Sequence, residues 1–282
     1  MHPPPPTQAA TQATLRFLGT GTSMGVPTLG CQCAVCLSAN SRDRRLRPSA
    51  LVRWIEKNGN TERAINVLID TGPDFREQAL ASDLRALDAV LYTHSHADHI
   101  LGLDDLRPLS FLHFDATGQP IPLYATPETR VVLEHVYSYT FSPDSSYTHR
   151  ARVRIHPIGT GVTLGGLRFT PVPVLHGTLP IIGYRFGSAA YLTDVSAIPE
   201  SSFALLEGVE VLVLSALRHK PHPSHATLDQ AVAWATRIGA PQTWFTHISH
   251  DLGHEITNKN LPAGMALAHD GLTIEFMAQQ TL

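Results

Sequence analysis

Four residues of types that bind metal ions lie within six positions of this sequence. They are His94, His96, Asp98 and His99, and they follow the apolar segment 89–92. Because side chains alternate along an extended strand, two histidines separated by one residue point to the same side. Asp98 and His99 come after a turn, so they can face a second, adjacent point from the start of a helix. This segment predicts ligands for two metal ions, and the alternative, a chance group of solvated histidines, is disfavoured by the buried strand before it.

Three more ligand-type residues each follow a predicted strand further along the chain, and they are His176, Asp194 and His247. Strand ends commonly gather at one edge of a sheet, where functional sites form. Either histidine alone would more often be a packed core residue. Because ligand types recur at the same place in the strand pattern, we predict that these three join the first four. Such imidazole and carboxylate donors suit two divalent metals, zinc or manganese, bridged by water.

The three cysteines of the chain lie within six residues, at Cys31, Cys33 and Cys36. An odd, closely spaced set is a poor disulfide framework. Three thiolates in one loop suit tetrahedral zinc with one ligand still missing. Ordinary free thiols are the alternative interpretation.

Alternating apolar residues predict strands over 50–56 and 64–69, joined by a turn at 57–60. Helical spacing predicts helices over 75–89, 100–106 and 228–238. The alternation of Arg150, Arg152 and Arg154 predicts that they share one face of a strand, either a solvated edge or an anion-facing strip.

Other segments carry weaker signals. The glycine-rich stretch 19–23 matches neither the Walker loop nor the dinucleotide fingerprint, so it predicts either a tight turn beside a site or a substrate contact. The region 137–149 is rich in Tyr, Ser and Thr and is interpreted as a lid or substrate-shaping loop, and Arg107 is a candidate for gripping an anionic substrate. A basic run is interpreted as a solvated surface, with contact to an anionic substrate as the alternative; it comprises Arg42, Arg44, Arg45 and Arg47.

Composition restricts the class of protein. The 282 residues are 43% hydrophobic with a formal net charge of −3, which is typical of a soluble globular protein without global attraction to nucleic acid or acidic membranes. No apolar run reaches the roughly 18 residues of a membrane span, and the start lacks the features of a secretory signal, so we expect a cytoplasmic location. Residues 1–13 are predicted to be a disordered proline-rich lead, and 14–282 a single domain. The oligomeric state is left open, a homodimer included.

The ordered pattern His94-x-His96-x-Asp98-His99 resembles the metallo-β-lactamase fold superfamily, and the resemblance covers about residues 14–280. It implies an α/β protein with an αββα four-layer sandwich, in which two β-sheets face each other and helices cover both outer faces. It also implies a division of ligands between two metals. One metal would be held by His94, His96 and His176, the other by Asp98, His99 and His247, with Asp194 bridging them.

Two further features are similar to one branch of that superfamily. The start FLGTGTSMGVP is similar to the tRNA 3′-processing nucleases, and the three cysteines resemble those of the phosphoribosyl 1,2-cyclic phosphate phosphodiesterases. The latter resemblance implies a structural zinc whose fourth ligand is His250. The element His225-Ala226-Thr227 is similar to one in the nucleases, although their Glu is absent here, and it implies that His225 protonates the leaving group. His219 and His222 are competitors for this role.

The resemblance therefore implies a metal-dependent phosphodiesterase that cleaves a small cyclic phosphate. The metals would activate a shared water, Asp98 would ligate and orient it, and His225 would protonate the departing oxygen. Three alternatives stay open: a tRNA 3′-processing nuclease, a lactone or thioester hydrolase, and a non-catalytic metal-binding relative. The nuclease is disfavoured by a negative net charge and only three lysines. A small phosphate ester is the expected partner, and neither nucleic acid nor a membrane is expected.

Overall fold

The computed structural model describes residues 12–58, 61–143 and 146–278. Three predicted features extend outside these ranges: the proline-rich lead 1–13 at residues 1–11, the turn 57–60 at residues 59 and 60, and the region 137–149 at residues 144 and 145. Gln12 and Ala13 already belong to the first strand, so this strand begins two residues before the predicted domain start at position 14.

The first sheet has seven strands, numbered in chain order. They are β1 (Gln12–Gly19), β2 (Ser49–Asn58), β3 (Thr61–Ile69), β4 (Ala89–Leu91), β5 (Ile121–Ala125), β6 (Val153–Pro157) and β14 (Thr273–Met277). In space they are ordered β14-β1-β2-β3-β4-β5-β6. Pairing is antiparallel from β14 to β3 and parallel from β3 to β6. The predicted pair 50–56 and 64–69 is confirmed as neighbouring strands, with Ala50 opposite Ile69.

The second sheet also has seven strands. They are β7 (Val162–Leu164), β8 (Leu167–His176), β9 (Leu179–Phe186), β10 (Ala189–Leu192), β11 (Val211–Ser215), β12 (Gln242–Thr246) and β13 (Met265–Leu267). Their spatial order is β13-β12-β11-β10-β9-β8-β7. Strands β7 to β10 pair antiparallel, and β10 to β13 pair parallel. In each sheet the parallel strands end at one edge, where the predicted ligands occur.

Short helices connect the strands. They are α1 (Phe75–Ala81), α2 (Ala97–Ile100), α3 (Arg107–Thr117), α4 (Pro127–Val136), α5 (Ser138–Phe141), α6 (Glu200–Leu205), α7 (Leu228–Ile238) and α8 (His254–Asn258). α7 has its predicted bounds because both ends are capped. Thr227 and Gln230 form a reciprocal capping box at its start, and Gly239 adopts a left-handed φ of 75° at its end. Within the described ranges, none of the helices combines the length and the apolar character of a membrane span.

Three apolar clusters define the layers. The largest lies between the sheets and joins Phe17 and Val67 of the first to Phe169 and Tyr184 of the second. A second cluster covers the outer face of the second sheet, where α7 packs, and a third covers the outer face of the first sheet. Strand residues thus alternate between the central core and an outer, helix-covered core. The predicted αββα sandwich is confirmed.

Two predicted helices were wrong in extent. The helix predicted over 75–89 ends at Ala81, because Asp83 adopts a left-handed φ of 48° and starts an irregular segment. That segment still buries Leu84 and Leu87, so its apolar spacing imitates a longer helix. The helix predicted over 100–106 is the end of α2 followed by a separate 3-10 turn, Leu103–Leu106. Arg150 also lies outside β6, so it does not share a strand face with Arg154.

Candidate metal centre

The first four predicted ligands lie just beyond the end of β4. All three residues of β4 are buried, and the chain stays buried through Tyr92 and Thr93 before it reaches His94. His96 has extended backbone angles and caps α2, so Asp98 and His99 lie in the first helical turn, as predicted. Tight packing holds this turn. A Cβ on Gly72 would lie 2.2 Å from the carbonyl oxygen of Asp98, which only glycine permits.

The remaining predicted ligands follow strands of the second sheet. His176 is the last residue of β8, while Asp194 and His247 follow β10 and β12. Asp194 and His247 adopt left-handed φ angles of 58° and 54°. Non-glycine residues in this region carry a conformational cost that persists where surrounding structure requires it, typically at functional sites. The two turns aim both side chains across the gap between the sheets at the first four residues.

The structure brings all seven predicted ligands together in overlapping groups. In each group the ligand atoms lie within 4.8 Å of one another. One group is His94, His96 and His176, and another is Asp98, His99 and His247. These are the two sets that the family resemblance implied.

Asp194 lies between these two sets. Its Oδ2 is 3.1 Å from Nε2 of His99, and its Oδ1 is 3.0 Å from Nε2 of His247. It also forms a ligand group with His94 and His99. Its carboxylate therefore lies within 4.8 Å of ligand nitrogens of both sets, which is the position a bridging carboxylate requires.

Hydrogen bonds behind the ligands orient their rings. Nδ1 of His99 lies 2.8 Å from Oδ2 of Asp70, and Nδ1 of His176 donates to the carbonyl oxygen of Ser224 at 2.6 Å. Each contact turns Nε2 toward the centre, and such outer partners commonly fix ligand histidines. Asp70 was not among the predicted site residues. Its signal in the sequence was the same as for the others, an acidic residue directly after a buried strand.

Charges in the centre oppose the effect of burial on its two carboxylates. Burial alone raises the pKa of Asp194, but His247 and His99 beside it lower that pKa well below its usual range. For Asp98 too, burial is outweighed by His99, and its pKa is lowered. Burial, reinforced by His99, lowers the pKa of His94 well below its ordinary value. Two ionised carboxylates and a neutral imidazole are the protonation states that a metal site needs.

Unpaired ring nitrogens provide a test of fit for metal ions. Nε2 of His94 and Nδ1 of His247 are buried without a hydrogen-bond partner among the residues that the structure describes. Nε2 of His99 and Nε2 of His247 lie close to Asp194 but form no hydrogen bond of acceptable geometry with it. Buried polar atoms normally have partners, so these need another one. Five imidazoles, including that of the exposed His96, converge with two ionised carboxylates. Such a donor set is typical of borderline divalent cations. The residues therefore fit two metal ions.

His225 lies at the rim of the centre. Its Nδ1 is 3.7 Å from Oδ1 of Asp194, and its ring stacks on that of His247 at 4.8 Å. Burial, together with His247, lowers the pKa of His225 to about 3. Of its two competitors, His222 lies 5.0 Å away, ring to ring, and His219 is exposed. The structure therefore places His225 next to the predicted ligands.

The three cysteines and His250 form a second candidate site. The Sγ atoms of Cys31, Cys33 and Cys36 lie 3.2, 3.6 and 3.3 Å from Nδ1 of His250. Tetrahedral zinc with usual bond lengths separates sulfur from nitrogen by about 3.5 Å. Backbone N–H groups donate to all three sulfur atoms, an arrangement that favours thiolates. The geometry therefore fits one tetrahedral zinc ion.

Comparisons with known proteins agree with this geometry. A family described as the Beta-lactamase superfamily domain matches residues 65–248. A crystal structure of a diphosphatase from the PhnP family shares 54% identity and superposes with a TM-score of 0.85, over 95% of this chain and 99% of that chain. This protein belongs to the β-lactamase superfamily, and it has the metallo-β-lactamase fold.

Two curated relatives are similar over part of their own lengths. An octanoyltransferase of Porphyromonas gingivalis is 35% identical over 91% of this chain and 50% of that protein. A ribonuclease Z of Crocosphaera subtropica is 30% identical over 60% of this chain and 46% of that protein. The chain thus spans about half the length of these two relatives.

In this metallo-β-lactamase fold protein, the four arginines of the basic run lie in three different environments. Arg45 is fully buried and donates to the carbonyl oxygens of Ser249 and Leu252 at 2.8 and 2.7 Å, so the prediction of a solvated surface is wrong for this residue. Arg45 thus ties the segment that follows the three cysteines to the turn after His247. Arg42 and Arg44 are exposed, as predicted, and Arg47 pairs with Asp74 at 2.8 Å.

Residues 137–143 and 146–149 pack beside the metal motif. Tyr137 donates to the carbonyl oxygen of Ile100 at 3.0 Å, and Tyr139 donates to Asp104 at 2.6 Å. Arg107 donates to the hydroxyl of Tyr147 at 2.6 Å and pairs with Asp104. Arg107 thus holds this region in place. The lid remains a prediction.

Proposed function

We propose that this protein is a metal-dependent hydrolase that cleaves a phosphodiester, a small cyclic phosphate being the preferred substrate class. The observation that carries the proposal is the position of the Asp194 carboxylate within 4.8 Å of ligand nitrogens of both sets, with His225 beside it. Paired metals of this kind suit in-line displacement at phosphorus. The 54% identical diphosphatase supports phosphate chemistry.

The residues of the chain would divide the work as follows. Bound divalent ions supply Lewis-acid activation of water and neutralise charge on the phosphate. Asp98, ionised and buried, orients the attacking water. His225 gives a proton to the departing oxygen. Burial lowers the pKa of His225 and so favours a neutral ring before substrate binds, whereas the negative charge of a bound phosphate favours the protonated form.

We infer zinc or manganese at the paired site and zinc at the cysteine site. Imidazole and carboxylate accept both metals, whereas three thiolates and one imidazole favour zinc. Elemental analysis of the purified protein measures this directly. Three metal ions per chain, with zinc retained at the cysteine site, is the expected result.

The test of function is hydrolysis of bis(p-nitrophenyl) phosphate and a panel of cyclic phosphates and lactones. Asp194→Ala and His96→Ala should each lower kcat/KM by at least about a hundredfold, whereas His219→Ala, which changes an exposed histidine outside the centre, serves as the matched control. An Asp194→Ala protein that cleaves at the full rate would overturn the mechanism. Lactone hydrolysis without phosphodiester hydrolysis would favour the carbonyl alternative.

RNA processing is a second candidate because a ribonuclease Z is 30% identical over 60% of this chain. The sequence has only Lys57, Lys220 and Lys259 as lysines, and its net charge is negative, so a broad basic surface for RNA is not expected. Binding to a precursor tRNA, measured from 50 to 200 mM salt, separates the two. Tight binding that weakens steeply with salt would favour the nuclease.

A further inference from the structure

The glycine-rich stretch after β1 lies against the turn that carries His247. The backbone N–H of Ile248 donates to the carbonyl oxygen of Thr20 at 2.8 Å, and Gly21 pairs with Ile248 as an isolated parallel bridge. A Cβ on Gly21 would lie 2.7 Å from the carbonyl oxygen of Arg45, so this close approach requires glycine. These contacts support the interpretation of the stretch as a tight turn beside a site.

Asp270, which lies between β13 and β14, fixes this stretch. Its Oδ1 accepts from both the backbone N–H and the hydroxyl of the buried Thr20, at 2.8 and 2.7 Å. Its Oδ2 accepts from the backbone N–H of Leu46 at 2.7 Å. Hydrogen bonds to an ionised carboxylate are among the stronger ones. A side chain 250 residues further along the chain therefore holds the turn after β1 at three points.

The ring of His247 depends on its backbone more than two other ligand rings do. His99 and His176 each have a hydrogen-bond partner at Nδ1 that orients the ring. Nδ1 of His247 is buried and has no such partner in the described part of the chain. Its φ of 54° is a conformation that persists only where neighbouring contacts enforce it. The bond from Ile248 to Thr20, directly after this residue, is one of those contacts.

We propose that Asp270 is a positioning residue for the paired metal centre, acting through Thr20 on the ring of His247. Asp270 belongs to none of the ligand groups formed by the described residues, so its effect passes through the backbone of Ile248. The metal that His247 helps to hold should respond to Asp270, and the other metal should not. The inference rests on the metal centre and is independent of the phosphodiesterase function proposed above.

Manganese binding tests the inference, because Mn²⁺ takes oxygen and nitrogen ligands and does not compete with zinc for thiolates. The full chain, with zinc kept at the cysteine site and the paired centre emptied by a mild chelator, is titrated with Mn²⁺. Electron paramagnetic resonance measures the free ion. His247→Ala identifies the equivalent of metal that depends on this ligand. Asp270→Asn should weaken that same equivalent by about tenfold, as loss of an outer partner does, and leave the other unchanged.

Two comparisons separate positioning from general stability. Asp88 is also partly buried and accepts from the backbone N–H of Asn66 at 2.8 Å, at the opposite end of β4 from the metal motif. Asp88→Asn should lower the free energy of unfolding in urea, as Asp270→Asn does, and keep the wild-type affinity for Mn²⁺. Thr20→Val, which removes the hydroxyl bond to Asp270, should weaken the equivalent that depends on His247. Thr20→Ser, which keeps that bond, should match the wild type.

The outcomes separate this role from the proposed function. Unchanged affinities for Mn²⁺ in Asp270→Asn would overturn the role of Asp270 and leave the phosphodiesterase in place. Equal weakening of both equivalents, with loss of zinc from the cysteine site, would also overturn it, because the carboxylate would then support the fold as a whole. Wild-type protein that binds no Mn²⁺ at the paired centre would overturn both proposals. Normal binding of Mn²⁺ without hydrolysis of any phosphodiester would overturn only the proposed function.

Discussion

Oδ2 of Asp70 lies 2.8 Å from Nδ1 of His99, and this contact leaves Nε2 of His99 facing Asp98 and Asp194. Asp70 also accepts from the backbone N–H and the hydroxyl of Thr93, both at 2.8 Å. One buried carboxylate thus fixes a ligand ring and the strand end that leads to the motif. Burial raises the pKa of Asp70, and His99 beside it acts in the opposite direction.

Replacing Asp70 by Asn should weaken metal binding by about 10- to 100-fold, as loss of outer partners of ligand histidines commonly does. The NH₂ group of the asparagine would face Thr93 or His99, whose hydrogen bonds the carboxylate now accepts, and two donors cannot bond to each other. Competition with a chromophoric chelator measures the affinity. Asp83→Asn is the matched control. Asp70 and Asp83 both have left-handed φ angles, of 62° and 48°, but Asp83 is exposed and lies outside the centre. Equal affinities in the two variants would contradict the role of Asp70.

Replacing Cys33 by Ser should remove one equivalent of zinc and lower the free energy of unfolding by about 4 kcal/mol, since loss of a metal is among the largest single-residue effects. The cysteine loop would lose its link to His250. Elemental analysis and urea unfolding measure the two effects. Gln32→Ala, an exposed change in the same loop, should alter neither. Unchanged zinc content in Cys33→Ser would exclude Cys33 as a ligand.

Replacing Arg45 by Met should lower the free energy of unfolding by about 3 kcal/mol, because it leaves the carbonyl oxygens of Ser249 and Leu252 without their donor. Arg44→Met, one position earlier and exposed, should change it by less than about 0.5 kcal/mol. Urea unfolding of both variants is the measurement. Similar values for the two would mean that the buried guanidinium contributes little.

His254 should make stability depend on pH. Burial, reinforced by His269 and Arg45, lowers its pKa to about 4, whereas the unfolded chain has the ordinary value near 6.5. Between these values the unfolded state binds more protons, so this contribution is complete above pH 6.5 and is lost as pH falls toward 4. The loss is at most about 3 kcal/mol.

The check is the free energy of unfolding of wild type and His254→Gln at pH 7.5 and pH 5. The glutamine can still accept the hydrogen bond from the Asn258 amide and does not titrate. The decrease from pH 7.5 to 5 should be smaller in the variant by roughly 1 kcal/mol or more. The same decrease in both proteins would assign the pH dependence to other groups.

Several predictions that held have a local physical cause. Alternation along a strand and a turn into a helix start placed four ligands of the motif, and a capping box with a following glycine set the ends of α7. The recurrence of His176, Asp194 and His247 after strands was sufficient to predict their convergence, because parallel strands end at one edge. The types and the order of these residues were also sufficient to identify the family.

Other features were decided by tertiary structure alone. Four arginines in one short run look alike in sequence, yet Arg45 is buried, Arg47 lines a cleft and two are exposed, because distant carbonyl groups, Asp74 and the cysteine loop determine each environment. Residues 82–88 have helical spacing, but a left-handed Asp83 ends α1, and contacts with the outer core bury Leu84 and Leu87. The sequence by itself determined which residues could bind metal and in what order. Only the packing of two sheets brought Asp194 between His99 and His247, since strands far apart in the chain supply these residues.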